Sequence, residues 1–191
     1  MEEETINKLN EFMIDIYDLD VSEFEIEGTL ILKKFKNLQK LDCSYNEIKK
    51  ILGFSNNTNT IDCSNNQLIR LTRLPTQLKN LNCSKNLIKS LDNLNDGITI
   101  LNCSFNEIKK VNNLPNTLTY LDCSWNKIKN LDCLPNSMIH LICTQNQILS
   151  LDNLPNTLNY LDCSCNKIKN LNNLPIFIKD VVNNKFDENN K

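Results

Sequence analysis

The chain has 191 residues, 40% of them hydrophobic and 23% charged, with a formal net charge of −2. That is long enough for one domain with a sizeable core, and it holds no apolar run of the ~18 residues needed to span a membrane. Glycine (3) and proline (5) are too few to build its turns, so the abundant asparagines must do so through side-chain bonds to nearby backbone.

The first 30 residues carry ten acidic side chains and one basic, whereas residues 31–191 carry 13 acidic and 20 basic. Such an acidic head reads as a solvated cap on a basic body. Its first ten residues, MEEETINKLN, lack the basic start and apolar centre of a signal peptide. The expected location is therefore intracellular, where nine cysteines are free thiols rather than a disulfide framework. Residues 5–18 fit a short amphipathic helix with Ile6, Leu9, Met13 and Ile16 on one face. Over residues 21–37 a degenerate repeat is expected: Val21, Phe24 and Ile26 match a strand spacing, and Ile31 and Phe35 follow. Residues 1–37 thus read as an N-terminal cap of short helix plus degenerate repeat.

A strict period of twenty then begins. LDCS starts at Leu41, IDCS at Ile61, LNCS at Leu81 and Leu101, LDCS at Leu121, LICT at Leu141 and LDCS at Leu161. Asparagine recurs in phase from Asn46 to Asn166, followed two residues later by Ile or Leu (Ile48 to Ile168). All five prolines, Pro75, Pro115, Pro135, Pro155 and Pro175, share one register. The unit is L-x-x-L-x-C-S-x-N-x-I-x-x-L-x-x-L-P-x-x. Within it L-x-C is a short half-buried strand, with Leu and Cys on one side and Asp and Ser on the other. The stretch before the next strand is too short for a crossover helix and is interrupted by proline, so it should be extended or a 3₁₀ turn.

This unit resembles the leucine-rich repeat, L-x-x-L-x-L-x-x-N/C-x-L. Its length and Leu-Pro ending resemble the twenty-residue class of bacterial effector proteins, and its L-x-C-S-x-N wording resembles repeats of giant amoeba viruses. The resemblance implies an α/β-type solenoid with short parallel strands on the concave face, extended or 3₁₀ convex segments and the N-terminal helical cap. Residues 38–177 are seven repeats, and 178–191 are a partial eighth repeat and tail, where Ile178 and Val181 keep the pattern but Phe186 replaces the asparagine. The resemblance also implies that the asparagines staple adjacent turns to one another.

Seven cysteines in one register suggest metal or redox chemistry, but they occupy the repeat's inward apolar site, where Cys acts as a small hydrophobe. Zinc requires paired C-x₂₋₄-C spacing that a twenty-residue ladder does not supply. No metal or other cofactor is expected. Cys133 and Cys165 lie outside the ladder and are candidates for exposed thiols. The one histidine, His140, could act as a base toward Ser124 or Cys165, with Asp122 or Asp162 to orient it. Every repeat supplies a Ser, however, so their presence carries no information. No Gly-rich phosphate loop occurs.

The outward positions carry the functional signal, because packing leaves them free to vary. Ile100, Phe105, Tyr120, Trp125, His140, Ile142 and Tyr160 come from four adjacent repeats, with Asp122 among them. An exposed aromatic cluster ringed by Asp and Ser has the composition of a protein-binding hot spot. A second stripe, Lys49, Lys89, Lys109, Lys129 and Lys169 with Lys50 and Lys110 beside it, lies away from the concave face and could bind an anion or nucleic acid. The aromatics lie on a different face and the pI is about 5.5, which favours a solvated role for the stripe. The sequence therefore points to a non-catalytic scaffold that binds a protein partner on its concave face, without membrane or nucleic acid. An anion or nucleic-acid binder using the lysines and a structural protein without a specific partner stand as alternatives. Neither the partner nor the oligomeric state can be read from the residues.

Overall fold

A computed structural model describes residues 14–92 and 94–183. The period of twenty becomes a parallel sheet because each L-x-C segment is too short to bury its apolar edge alone and must stack on its neighbours. The strands are β1 (Asp18–Asp20), β2 (Glu27–Ile31), β3 (Lys40–Asp42), β4 (Glu47–Leu52), β5 (Thr60–Asp62) and β6 (Asn80–Asn82). They are followed by β7 (Ile100–Asn102), β8 (Tyr120–Asp122), β9 (His140–Ile142), β10 (Tyr160–Asp162) and β11 (Asp180–Val182). Nine of them form one sheet in the order β1-β3-β5-β6-β7-β8-β9-β10-β11, every pair parallel. Leucine or isoleucine faces its counterpart throughout, from Leu41↔Ile61 to Leu141↔Leu161.

The interior is a set of repeating rows. The strand leucines, the seven ladder cysteines and Ile48, Leu68, Ile88, Ile108, Ile128, Ile148 and Ile168 are all buried. The cysteines are free. Cys43, Cys63 and Cys163 Sγ donate to a carbonyl of the next turn. Burial pushes the thiols up, that of Cys83 to about 12, so they stay protonated and unreactive at neutral pH.

Asparagine links each turn to the one before it. Asn126 Nδ2 donates to the carbonyls of Cys103, Cys123 and Ser124, and its Oδ1 accepts from the Ile108 N–H at 2.9 Å. One amide thus satisfies backbone groups of two turns, which closes the hydrogen-bond accounting of a sheet only three residues wide. The convex return is extended, as expected, and ends in a tight turn in which the carbonyl of Pro75, Pro115, Pro135, Pro155 or Pro175 accepts from the N–H three residues on. Proline fits there because its own missing N–H is not called upon.

Three expectations need correction. The helix expected over residues 5–18 falls mostly outside the described residues, and its described end is not helical: residues 14–17 bend or run irregularly, and Asp18 opens β1. The first turn is five residues out of the register read from the sequence, and its step of 22 residues from Leu19 to Leu41 is two longer than the period of twenty. Leu19, not Phe24, pairs with Leu41, and Val21, fully buried, takes the cysteine's place. Asn46 accordingly bonds the Val21 carbonyl and the Ile26 N–H. The rest of the first turn forms β2, which pairs with β4 as a separate two-stranded sheet whose register shifts between Gly28 and Thr29, where Lys49 of β4 is the extra residue. Finally, the serine after each ladder cysteine is not a solvent-facing group: Ser44, Ser64, Ser84, Ser104, Ser124 and Ser164 are buried. Asp42, Asp62 and Asp162 Oδ1 accept from both the N–H and the hydroxyl of the serine two residues on. Each such pair is an Asx-type turn that ends the strand.

Candidate functional site

The outer side of the nine-stranded sheet is organised by two rows. The first is the opening residue of each strand, and the second is the residue just before the stapling asparagine. In the second row Tyr45, Asn65, Lys85, Phe105, Trp125, Gln145 and Cys165 all have φ between 53° and 57°, or within a degree of it. This left-handed conformation is costly for side chains other than Gly, Asn and Asp. It persists because both backbone groups are tied down. The Trp125 N–H donates to the Thr144 carbonyl at 2.9 Å, and its own carbonyl accepts from the Asn106 N–H at 3.2 Å. The side chain is therefore aimed by a fixed backbone.

On this frame the aromatics stack. Phe105 and Trp125 lie with ring centroids 5.1 Å apart and planes within 9°. In the first row Tyr120, His140 and Tyr160 form a continuous pile, 4.9 Å from Tyr120 to His140 and 4.1 Å from His140 to Tyr160. The in-register rung of a parallel sheet, about 4.8 Å, is what brings rings of consecutive repeats to stacking distance. Ile100, Phe105 and Trp125 are 45%, 43% and 49% exposed, a large apolar area to leave in water. Between the rows run Asp122 and Ile142, partners across β8 and β9. Every residue expected in the cluster is on this face, but as two rows rather than one patch.

Stacking alters the titrating groups. Burial holds the His140 imidazolium below its ordinary range, which the nearby Asp122 carboxylate only partly offsets. Tyr120 is pushed up by burial, then by Asp122 and Tyr160. His140 is thus neutral at neutral pH and has both ring faces covered. The Ser124 half of the nucleophile–base pairing expected from the sequence does not form. The Ser124 hydroxyl has no partner at all, and its N–H is engaged by Asp122 Oδ1 at 3.0 Å. Among the described residues no group of three His, Cys, Asp or Glu side chains could hold a metal ion.

Elsewhere, Cys133 is exposed and Cys165 half-buried. The lysine stripe is exposed on a different edge, each member following a buried Ile. A shallow groove of about 400 Å³ opens there among Lys89, Lys109, Lys110, Asp92 and Asn112. Lys89 is 3.8 Å from Glu107, which also meets Lys127 at 3.5 Å, so part of the stripe's charge is neutralised locally. The left-handed turn row and the Asp–Ser turn were not foreseen. An asparagine at position 65 and the D-x-S spacing were their signals in the sequence.

No family model matches the chain, and no curated protein sequence does either. Solved structures do. YopM from Yersinia enterocolitica is 30% identical over 90% of this chain, with a TM-score of 0.74, and this chain spans 40% of its length. A Shigella effector leucine-rich-repeat domain is 20% identical, covers 96% of this chain and is itself covered over 89%, with a TM-score of 0.77. The functional domain of InlJ from Listeria monocytogenes, described as including a cysteine ladder, is 25% identical over 88% of this chain and 53% of its own, with a TM-score of 0.56.

Proposed function

Since the chain is a leucine-rich-repeat solenoid of the kind found in bacterial effectors, we propose that it is a non-catalytic interaction scaffold. It binds a protein partner on the outer face of the nine-stranded sheet, the concave side of such a solenoid. The contact centres on Tyr120, Trp125, His140 and Ile142, with Ile100, Phe105, Asp122 and Tyr160 around them. The observation that carries this reading is the pair of stacked aromatic rows. Five rings stand pre-ordered on a hydrogen-bonded backbone at outer positions that core packing leaves free. Rings already held in place lose little freedom on binding, which is how aromatic anchors come to dominate interfaces.

The test is affinity capture from a eukaryotic lysate. Wild type is compared with the Tyr120→Ala/Trp125→Ala double mutant after circular dichroism shows both are folded. A protein retained by wild type and lost by the mutant supports the reading and names the partner. Retention of the same set by both contradicts it and turns attention to the lysine groove, whose binding would weaken steeply with salt.

A further inference from the structure

We infer that this face takes a guanidinium: an arginine side chain of the partner, paired to Asp122 and stacked on Trp125. The inference rests on the outer-face reading above and names the chemistry that the face selects.

The first observation is a break in the repeat. Ser44, Ser64, Ser104 and Ser164 each donate their hydroxyl to the acid or amide two residues back, at 2.6–2.7 Å, whereas Ser84, which follows an amide, directs only its N–H to Asn82 Oδ1. Ser124 has the same aspartate available and does not use it. Its Oγ is buried, at a residue only 5% exposed, without a hydrogen-bond partner. A buried hydroxyl left unpaired is costly and asks for an explanation. Its counterpart is that Asp122 Oδ1 accepts the Ser124 N–H alone, whereas Asp42 and Asp162 Oδ1 accept two bonds each and Asp62 has both oxygens engaged. On the neighbouring strands Asp122 stands beside Asn102 and the apolar Ile142. A carboxylate against an apolar wall gains more from a cation than one in open water.

The second observation is charge. Between the two rows stand Asp42, Asp62, Asp122 and Asp162, whereas the lysines of the rows themselves are Lys40 and Lys85. Lys40 is already 3.5 Å from Asp18, and Lys85 lies over the Phe105 ring. Lys127, two residues from Trp125, is paired with Glu107 at 3.5 Å, and the lysine stripe lies on a different edge, so the aspartates of this face favour a cation.

The third observation selects the kind of cation. Trp125 has one face on Phe105, and the same position of the next repeat is Gln145, not a ring. With 49% of its surface exposed, Trp125 still has ring surface that a planar group can reach. A guanidinium stacks on such a face and pairs with a carboxylate through two parallel bonds. An ammonium is a point charge that does neither as well.

Trp125 is the only tryptophan of the chain, so its emission reports occupancy directly. The full chain is titrated with an acetylated, amidated Gly-Arg-Gly-Arg-Gly-Arg peptide and with its lysine counterpart. A saturable emission change is expected, with the arginine peptide tighter by about fivefold or more, as its planar fork requires. Asp122→Asn should weaken it by about tenfold through loss of the charged pair. Asp62→Asn, whose carboxylate is occupied by Ser64 and Asn82, should stay within about twofold, as an outlying charge does. No saturable change, equal affinity for both peptides, or equal losses for the two variants would overturn the proposal. Capture of the partner separates this failure from that of the underlying reading. If the double mutant loses the partner and Asp122→Asn holds it undiminished, the face binds but not through arginine. If the double mutant holds it, the face itself is the wrong one.

Discussion

The two sides of one three-residue strand behave as opposites. Inward, Leu121 and Cys123 repeat the aliphatic-x-Cys pattern of all seven repeats, and both are completely buried. Outward, Tyr120 and Asp122 are found together again only in the turn of Tyr160 and Asp162. Repetition on the inside supplies stability, because each turn completes its neighbours' hydrogen bonds and apolar contacts. Freedom on the outside supplies individuality, because no neighbour constrains those positions. The lesson is that a strict repeat separates the residues that hold the fold from those that give it a use, at a distance of one residue.

That separation can be broken from the inside first. Leu121→Ala opens a cavity in the stack and should cost about 2–5 kcal/mol, read from the urea midpoint. Asn126→Ala removes a staple of two turns and should cost about 1–3 kcal/mol, since it leaves backbone groups of Ile108, Cys103 and Cys123 without their bonds. An unchanged midpoint would deny the staple its role.

The outer turn row should respond in the other direction. Gln145 is held at φ 54°, so Gln145→Gly should raise stability by about 0.5–1 kcal/mol, a gain that a side chain already relaxed there would not give. The smallest effect is that of pH on His140. Its folded value is depressed by burial, so its contribution is fully present above the unfolded value of about 6.5 and is lost as pH falls below that toward the folded value. His140→Gln should flatten the stability profile in that window, and equal slopes for both proteins would show that the ring is not desolvated.

Most of the inside was legible in the sequence. A period of twenty fixes the register of β3 and of β5 through β10, and the asparagine row announces its own bonding, because a buried amide must satisfy every donor and acceptor. The first turn was misread because Val21, Phe24 and Ile26 keep an apolar spacing that fits two registers. Only pairing with β3 decides that Leu19 is the strand leucine. The outer residues were legible as a set but not as an arrangement. Sequence places Phe105 and Trp125 in the same column, yet the left-handed turn that aims them is a backbone property that no side chain there announces except Asn65. Ser124 was beyond reach altogether, since its residue type matches the repeat and only its hydrogen bonding departs from it.

The most direct test of the account compares affinities for the captured partner of wild type, Trp125→Ala and Asn65→Ala. The last is the same turn position three repeats away. Loss of ~2 kcal/mol or more for Trp125→Ala, with Asn65→Ala unchanged, is the predicted result for an anchor at the centre of an interface. A loss below ~0.5 kcal/mol for Trp125→Ala would contradict it, because a residue that matters so little cannot be a hot spot.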